Sequence, residues 1–227
     1  MGHVVSEKQS TSPNTAAVLR LFFHDCAVEG CDGSILISST SFNKAERDAE
    51  PNLLLPGDAF DVVVRAKTAL ELQCPGIVSC SDILATAVRD LVSMVGGPKY
   101  SVPLGRKDGL ESNAARVEGN LPSPTMPLSK IIFFMLQKGF RARNELAERV
   151  RVAFSGSGLA VDERTKPFVD LYASNSTAFF QDFALAMEKL SVYKVKTDRE
   201  GENFEYAFQG DYAYALNFID VRLSLFY

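Results

Sequence analysis

Residues 19–37 read LRLFFHDCAVEGCDGSILI. A run of Leu and Phe holds Arg20 and His24 four residues apart, and two acids bracketed by cysteines follow at once, Asp25 before Cys26 and Asp32 after Cys31. Residues i and i+4 of a helix share a face, so Arg20 and His24 project together, with Phe23 beside them. The rest of that helix is apolar on nearly all sides, as a buried helix is. Two basic groups on one face of an apolar helix need a polar object to address. The competing reading is a satisfied core histidine, with Arg20 reaching the surface along its stem.

Outward from this stretch, helical periodicity dominates. SPNTAAVLRLFFHDCA (12–27) opens on Pro and Asn/Thr start signals. DAFDVVVRAKTALELQC (58–74) places Phe60, Val63, Val64, Lys67 and Leu70 at 3–4 spacing before a Pro-Gly stop. SCSDILATAVRDLVSMVGG (79–97) starts with Ser79 and Asp82 in a capping-box pattern and carries the stripe Ile83, Leu84, Ala87, Val88, Leu91 and Val95. KYSVPLGRKDGLES (99–112) alternates briefly and predicts a short strand or two. NLPSPTMP (120–127) is a Pro-punctuated connector, and LSKIIFFMLQKG (128–139) predicts a further helix. ARNELAERVRVAF (142–154) has mixed charges at helical spacing, SGSG (155–158) breaks the chain, and two more helices are expected near 163–173 and 176–193. The reading is a mainly α protein.

A chain of 227 residues is long enough for one substantial core or two small ones. Its net charge of −4 gives no general reason to bind nucleic acid, and no run of apolar residues is long enough to span a membrane. The first fifteen residues lack the apolar core of a secretory signal, so the chain is read as mature, truncated or not exported by itself. MGHVVS matches a myristoylation pattern, a short motif given little weight. Cys26, Cys31, Cys74 and Cys80 fit no zinc spacing, and His3 and His24 are the chain's two histidines. Cys26 and Cys31 flank a glycine-containing turn that a bridge would suit. Cys74 and Cys80 are open to a mutual bridge or to other partners, and four buried thiols is the alternative for the whole set. Asn175-Ser176-Thr177 is a glycosylation pattern, which tilts the reading toward export.

The chemistry of the opening stretch divides in two. Burial and a neighbouring cation both favour a neutral His24, able to accept a proton near pH 7. The Arg20 guanidinium would stabilise negative charge as a bond breaks. That pair suits heterolysis of a peroxide, with Asn52 accepting a hydrogen bond from the other ring nitrogen and orienting it. Asp25, Asp32 and Ser34, with the carbonyls of Val28 and Gly30 and with Glu46 through water, form an all-oxygen set that suits calcium. Ordinary Asp/Gly turn residues are the alternative.

RLFFHDCAVEGCDGSILI resembles the distal-side signature of the class III secretory plant haem peroxidases. The resemblance continues through CPGIVSCSDILATAVRD, GGPKYSVPLGRKDG, NLPSP and AVDERTKPFVDLYASNSTAFFQDFALAMEKLSV, covering most of residues 16–202. It implies a haem-peroxidase-like helical fold, with haem b and calcium as cofactors and hydrogen peroxide and small phenolic donors as partners. It further implies a monomer in an extracellular or vacuolar location. It implies Arg20, Phe23 and His24 as the distal haem pocket with Asn52 behind, and Pro122 near the aromatic donor. Asp25, Val28, Gly30, Asp32 and Ser34 become distal calcium ligands, with Glu46 behind water and Cys26–Cys31 as a clamp.

The chain departs from the family pattern in three places. Where the family has a segment like VALSGAHT, which carries the proximal haem ligand, this chain reads VAFSGSGLAVDERT, and Gly158 stands in the histidine's place. No proximal ligand is therefore assigned, and the fold is expected to be incomplete on the proximal side. The family would pair Cys74 and Cys80 with N- and C-terminal cysteines that this sequence lacks. The expected division is 1–140 for the distal helices, 141–202 for a remnant of the proximal half, and 203–227 for a tail unlike the family. The alternative function is an inactive, internally truncated or splice-variant relative, at most a calcium-binding or interaction module.

Overall fold

The computed structural model describes residues 2–123, 126–127, 129–131, 162–197, 200–201 and 203, with side chains from Asn14 onward. Among these residues the architecture is mainly α, without a strand. The order is α1 (Gly2–Ala27), α2 (Gly57–Glu71), α3 (Cys80–Met94), α4 (Lys166–Ser174) and α5 (Ser176–Ser191), with single turns of tighter helix between them. Helix α1 packs against both α2 and α3. Its Val18, Leu21, Phe22 and Cys26 are essentially inaccessible, and α3 meets them with Ile83, Leu84, Val88 and Val92. Burying each such large aliphatic or aromatic side chain contributes about 1.5–3 kcal/mol. Ala186, Met187 and Leu190 of α5 join the same core.

Three expectations are corrected, and one open alternative is closed. Helix α1 begins at Gly2 and passes through Pro13, which had been read as a start signal. Proline removes one backbone donor, and a helix of this length retains the rest of its ladder. In α3 it is Val92, one turn beyond Val88, that is buried, whereas Val95 at the C-cap is exposed. Residues 99–112 form no strand, only an isolated antiparallel bridge between Lys107 and Lys196. The reason is a partner distant in sequence: the amides of Gly105 and Arg106 donate to the Asp82 carboxylate, at 2.7 and 3.2 Å, and so are not available to a ladder. Cys74 and Cys80 are free thiols, not bridged to each other.

The start of α3 shows how side chains do the work of strands here. Ser79 Oγ accepts from the Asp82 amide at 3.1 Å, the expected half of a capping box. Asp82 turns to the 103–106 loop instead of back to Ser79, and Asp108 satisfies the next two helix amides, Cys80 N at 2.9 Å and Ser81 N at 2.8 Å. Lys67, on the core face of α2, is almost fully buried with its ammonium between Glu71 and the Val78 carbonyl. Helix α5 is capped by Asn175, whose Oδ1 accepts from Ala178 N at 3.0 Å. Of the helix expected over 128–139, Ser129 to Ile131 are helical, and the remainder lies outside the described residues. So do the 142–158 segment with Gly158 and nearly all of the 203–227 tail.

Candidate active site

Helix α1 puts His24 and Arg20 on one face, and the loop after it returns Asn52 to the same place on a single helical turn, Glu50–Asn52. Asn52 is buried, and its Nδ2 donates to the Glu46 carbonyl at 2.7 Å. That bond fixes the amide so that Oδ1 faces His24 Nδ1, also at 2.7 Å. An amide oxygen only accepts, so Nδ1 carries the proton and Nε2 presents its lone pair. Arg20 Nε donates toward that Nε2 across 3.4 Å, while Nη1 holds the Leu54 carbonyl at 3.3 Å. Phe23 stands edge-on to the imidazole, with ring centroids 6.2 Å apart. Burial chiefly, with the Arg20 charge, pushes His24 below its ordinary value, and the Asn52 hydrogen bond offsets part of this. The ring is thus held neutral, in one tautomer, with a basic nitrogen beside a cation.

The acidic loop lies directly behind. Cys26 and Cys31 are joined by a disulfide. Between them Gly30 adopts φ +135°, and a Cβ there would lie 2.3 Å from the Lys194 carbonyl oxygen, so only glycine fits. Asp25, Asp32, Ser34 and Glu46 are all buried, as is Val28. Asp25 accepts from the amides of Gly33 (3.1 Å) and Ile35 (3.4 Å), and Asp32 from Ser34 N at 3.1 Å. Ser34 Oγ donates to Glu46 Oε2 at 3.0 Å. The Gly30 carbonyl accepts from Asp32 N at 3.0 Å. Burial, and then Asp32 next to it, raises Asp25 well above the usual carboxylate range; burial raises Glu46 to about 8. Among the described residues no three His, Cys, Asp or Glu side chains converge as a metal centre. A set of two carboxylates, a hydroxyl and backbone carbonyls is of another kind. Pro122 stands apart from this network, half-buried after Leu121.

The two halves are one hydrogen-bonded unit, Ser34 to Glu46, Glu46 carbonyl to Asn52, and Asn52 to His24. Sequence reasoning missed the residues that brace it. Ser112 Oγ accepts from Glu46 N at 3.0 Å, and Lys196 Nζ meets Asp32 Oδ2 at 2.5 Å. The glycine-flanked charges of GRKDG were the available signal for a buried loop, but nothing local names their partners.

The peroxidase family pattern matches residues 2–156. Among curated relatives, the chain is 44% identical to Peroxidase 65 of Arabidopsis thaliana over 87% of this chain and 80% of that protein. It is 43% identical to Peroxidase 41 and 42% identical to Peroxidase 31 of the same plant, each over 87% of this chain and 82% and 84% of those proteins. The first alignment runs over 269 positions, yet 87% of 227 residues is about 197, so about 72 positions of the relative face no residue of this chain. With Peroxidase 51 the alignment covers 74% of this chain, about 168 residues, over 172 positions. That match is nearly free of gaps, whereas the longer match to Peroxidase 65 spans positions of that relative with no counterpart in this chain.

Proposed function

This chain belongs to the peroxidase family, and on that premise we propose that His24, Arg20, Phe23 and Asn52 are the peroxide-cleaving side of a haem site. One observation carries the reading: the 2.7 Å contact between His24 Nδ1 and Asn52 Oδ1, which leaves Nε2 as the acceptor beside Arg20. Nε2 takes the proton from one oxygen of hydrogen peroxide and returns it to the other as the O–O bond breaks. The Arg20 guanidinium stabilises the departing oxygen while it carries charge. Haem, when bound, supplies the two electrons this cleavage consumes and recovers them from phenolic donors, for which Pro122 is the proposed contact. Turnover of a phenolic dye by the haem-reconstituted chain, with imidazole supplied as an axial ligand, tests the proposal; a chain that takes up haem and turns over no dye even with imidazole refutes it.

Two variants with opposite signs test the roles of the helpers. The Arg20 charge lowers His24 and the Asn52 hydrogen bond raises it. Neutral His24 is the working form, so activity falls in acid with a midpoint below about 6.5. Arg20→Leu is expected to move that acid limb to higher pH, and Asn52→Val to lower pH with about a tenfold loss of rate. A pH–rate profile of peroxide consumption reads both, and limbs that move together exclude this division of labour.

A second reading, an inactive relative, is favoured by one observation: the histidines are His3 and His24, and Gly158 stands where the family carries its iron ligand. Gly158→His separates the two. If the site lacks only its axial ligand, this variant, or added imidazole with the parent chain, raises dye turnover by at least about tenfold. No gain from either leaves the distal residues as a remnant.

The oxygen donors of Asp25, Asp32, Ser34, Val28 and Gly30, with Glu46 behind, fit calcium, since burial, with Asp32 adding to it, raises Asp25 and Glu46, and a divalent cation offsets the cost of their charged forms. Export to an oxidising compartment, as a monomer, is the proposed setting. The Cys26–Cys31 disulfide and the exposed Asn175-Ser176-Thr177 pattern support it. No described helix is long and apolar enough to cross a membrane.

A further inference from the structure

The segment after α5 is zipped into the acidic loop. Cys31 N donates to the Tyr193 carbonyl at 3.1 Å, Gly30 packs on Lys194, and Lys107 N donates to the Lys196 carbonyl at 2.9 Å. Three lysines lie on these strips, and they point differently. Lys107 reaches Asn203 Oδ1 at 3.3 Å, and Lys194 stands over the Tyr193 ring at 5.7 Å. Lys196 alone of the three turns inward, to the Asp32 carboxylate, whose side chain is 4% exposed against 30% for the lysine. The fit is close on the far side too. A Cβ at Gly109 would lie 2.3 Å from Asp32 Oδ2 and 3.1 Å from Lys196 Nζ, and Gly109 N donates to the Asp32 carbonyl at 2.8 Å. The ion pair is therefore pressed against backbone, with little room to part.

We propose that Lys196 is a tethered counter-cation of the calcium loop: it offsets part of the buried charge at Asp32, holds the loop in shape without calcium, and weakens calcium binding. The proposal rests on the calcium reading above. Removing the ammonium leaves Asp32 buried and short of positive charge. A divalent cation then relieves more repulsion than it does in the parent chain, so it binds more tightly. By linkage the two effects have one size.

The test uses the full chain with calcium chloride as the probe, read by titration calorimetry and by thermal unfolding in chelator and in saturating calcium. Lys196→Met is expected to bind calcium about tenfold more tightly, ~1.4 kcal/mol, and to melt about 3–6 °C below the parent in chelator, a gap that closes in calcium. Lys196→Arg keeps the charge and stays near the parent. Lys196→Gln keeps a donor without charge and follows Met, which serves if the Met variant does not fold. Equal affinities in parent and variants, or a melting gap indifferent to calcium, overturn the role of Lys196 and leave the calcium site standing. No calcium binding in either parent or variants overturns the calcium reading itself.

Discussion

In the haem-loaded chain, His24→Leu is expected to lower the rate of hydrogen peroxide consumption by about 10²–10⁴-fold, the range of a positioned general acid–base. The lost group is the basic Nε2 beside Arg20. Arg20 remains, so charge stabilisation persists while proton transfer falls to solvent. Leu fills much of the imidazole's space in a site that is 9% exposed, but it orphans the Asn52 Oδ1 that accepts from the ring. An unsatisfied buried acceptor costs about 1–3 kcal/mol, so the variant also melts lower and its rate must be measured well below that transition. The variant His24→Gln keeps a side-chain amide that can donate to Asn52 Oδ1 but has no basic nitrogen. It is expected to recover some stability and none of the rate, which separates folding from chemistry. A loss below tenfold for His24→Leu would remove His24 from the mechanism.

What the sequence made legible were relations within reach of one helix or one turn. Arg20 and His24 share a face because four residues make about one turn, and Ser79 caps α3 because its acceptor needs only the amide three residues on. The mainly α class followed from the same periodicity. What stayed hidden depends on partners far along the chain. Asp108 caps Cys80 and Ser81 from 27–28 residues away, and Lys196 reaches Asp32 across 164. No local pattern states which buried carboxylate a given amide will choose. The false strand at 99–112 arose for that reason: alternation was visible, but the Asp82 carboxylate that takes its amides was not. Asn52 was legible as His24's partner only through the family resemblance and the donor chemistry of imidazole. The Glu46 carbonyl that sets its amide was not.

Arg106→Met is expected to destabilise the chain by about 3–5 kcal/mol, because it breaks a buried ion pair by removing one partner. Arg106 Nη1 meets Asp82 Oδ1 at 2.8 Å, with the two side chains 3% and 10% exposed. Its remaining donors hold backbone: Nε binds the Ser191 carbonyl at 2.9 Å, and Nη2 and Nη1 bind Ser191 and Pro103 carbonyls. The side chain therefore fastens the end of α5 to the start of α3, and the variant takes its donors from two carbonyls and leaves the buried Asp82 charge without its cation. For a domain of this size the loss corresponds to a fall of about 6–20 °C in melting temperature. Lys166→Met is the matched control, since its Asp170 partner is an i,i+4 neighbour on a surface where both side chains are more than half exposed. That pair is worth about 0.3–0.5 kcal/mol, a shift of at most about 2 °C. Adding Asp82→Asn to Arg106→Met takes away the stranded charge while keeping one acceptor for the amides of Gly105 and Arg106, so part of the stability is expected to return. If Arg106→Met melts like Lys166→Met, α5 is held by its apolar face alone, through Ala186, Met187 and Leu190. If it melts far lower and Asp82→Asn restores most of the loss, the cost is that of the stranded Asp82 charge; if Asp82→Asn restores little, the Arg106 bonds to Ser191 are what keep α5, and Lys196 beyond it, against the loop behind His24.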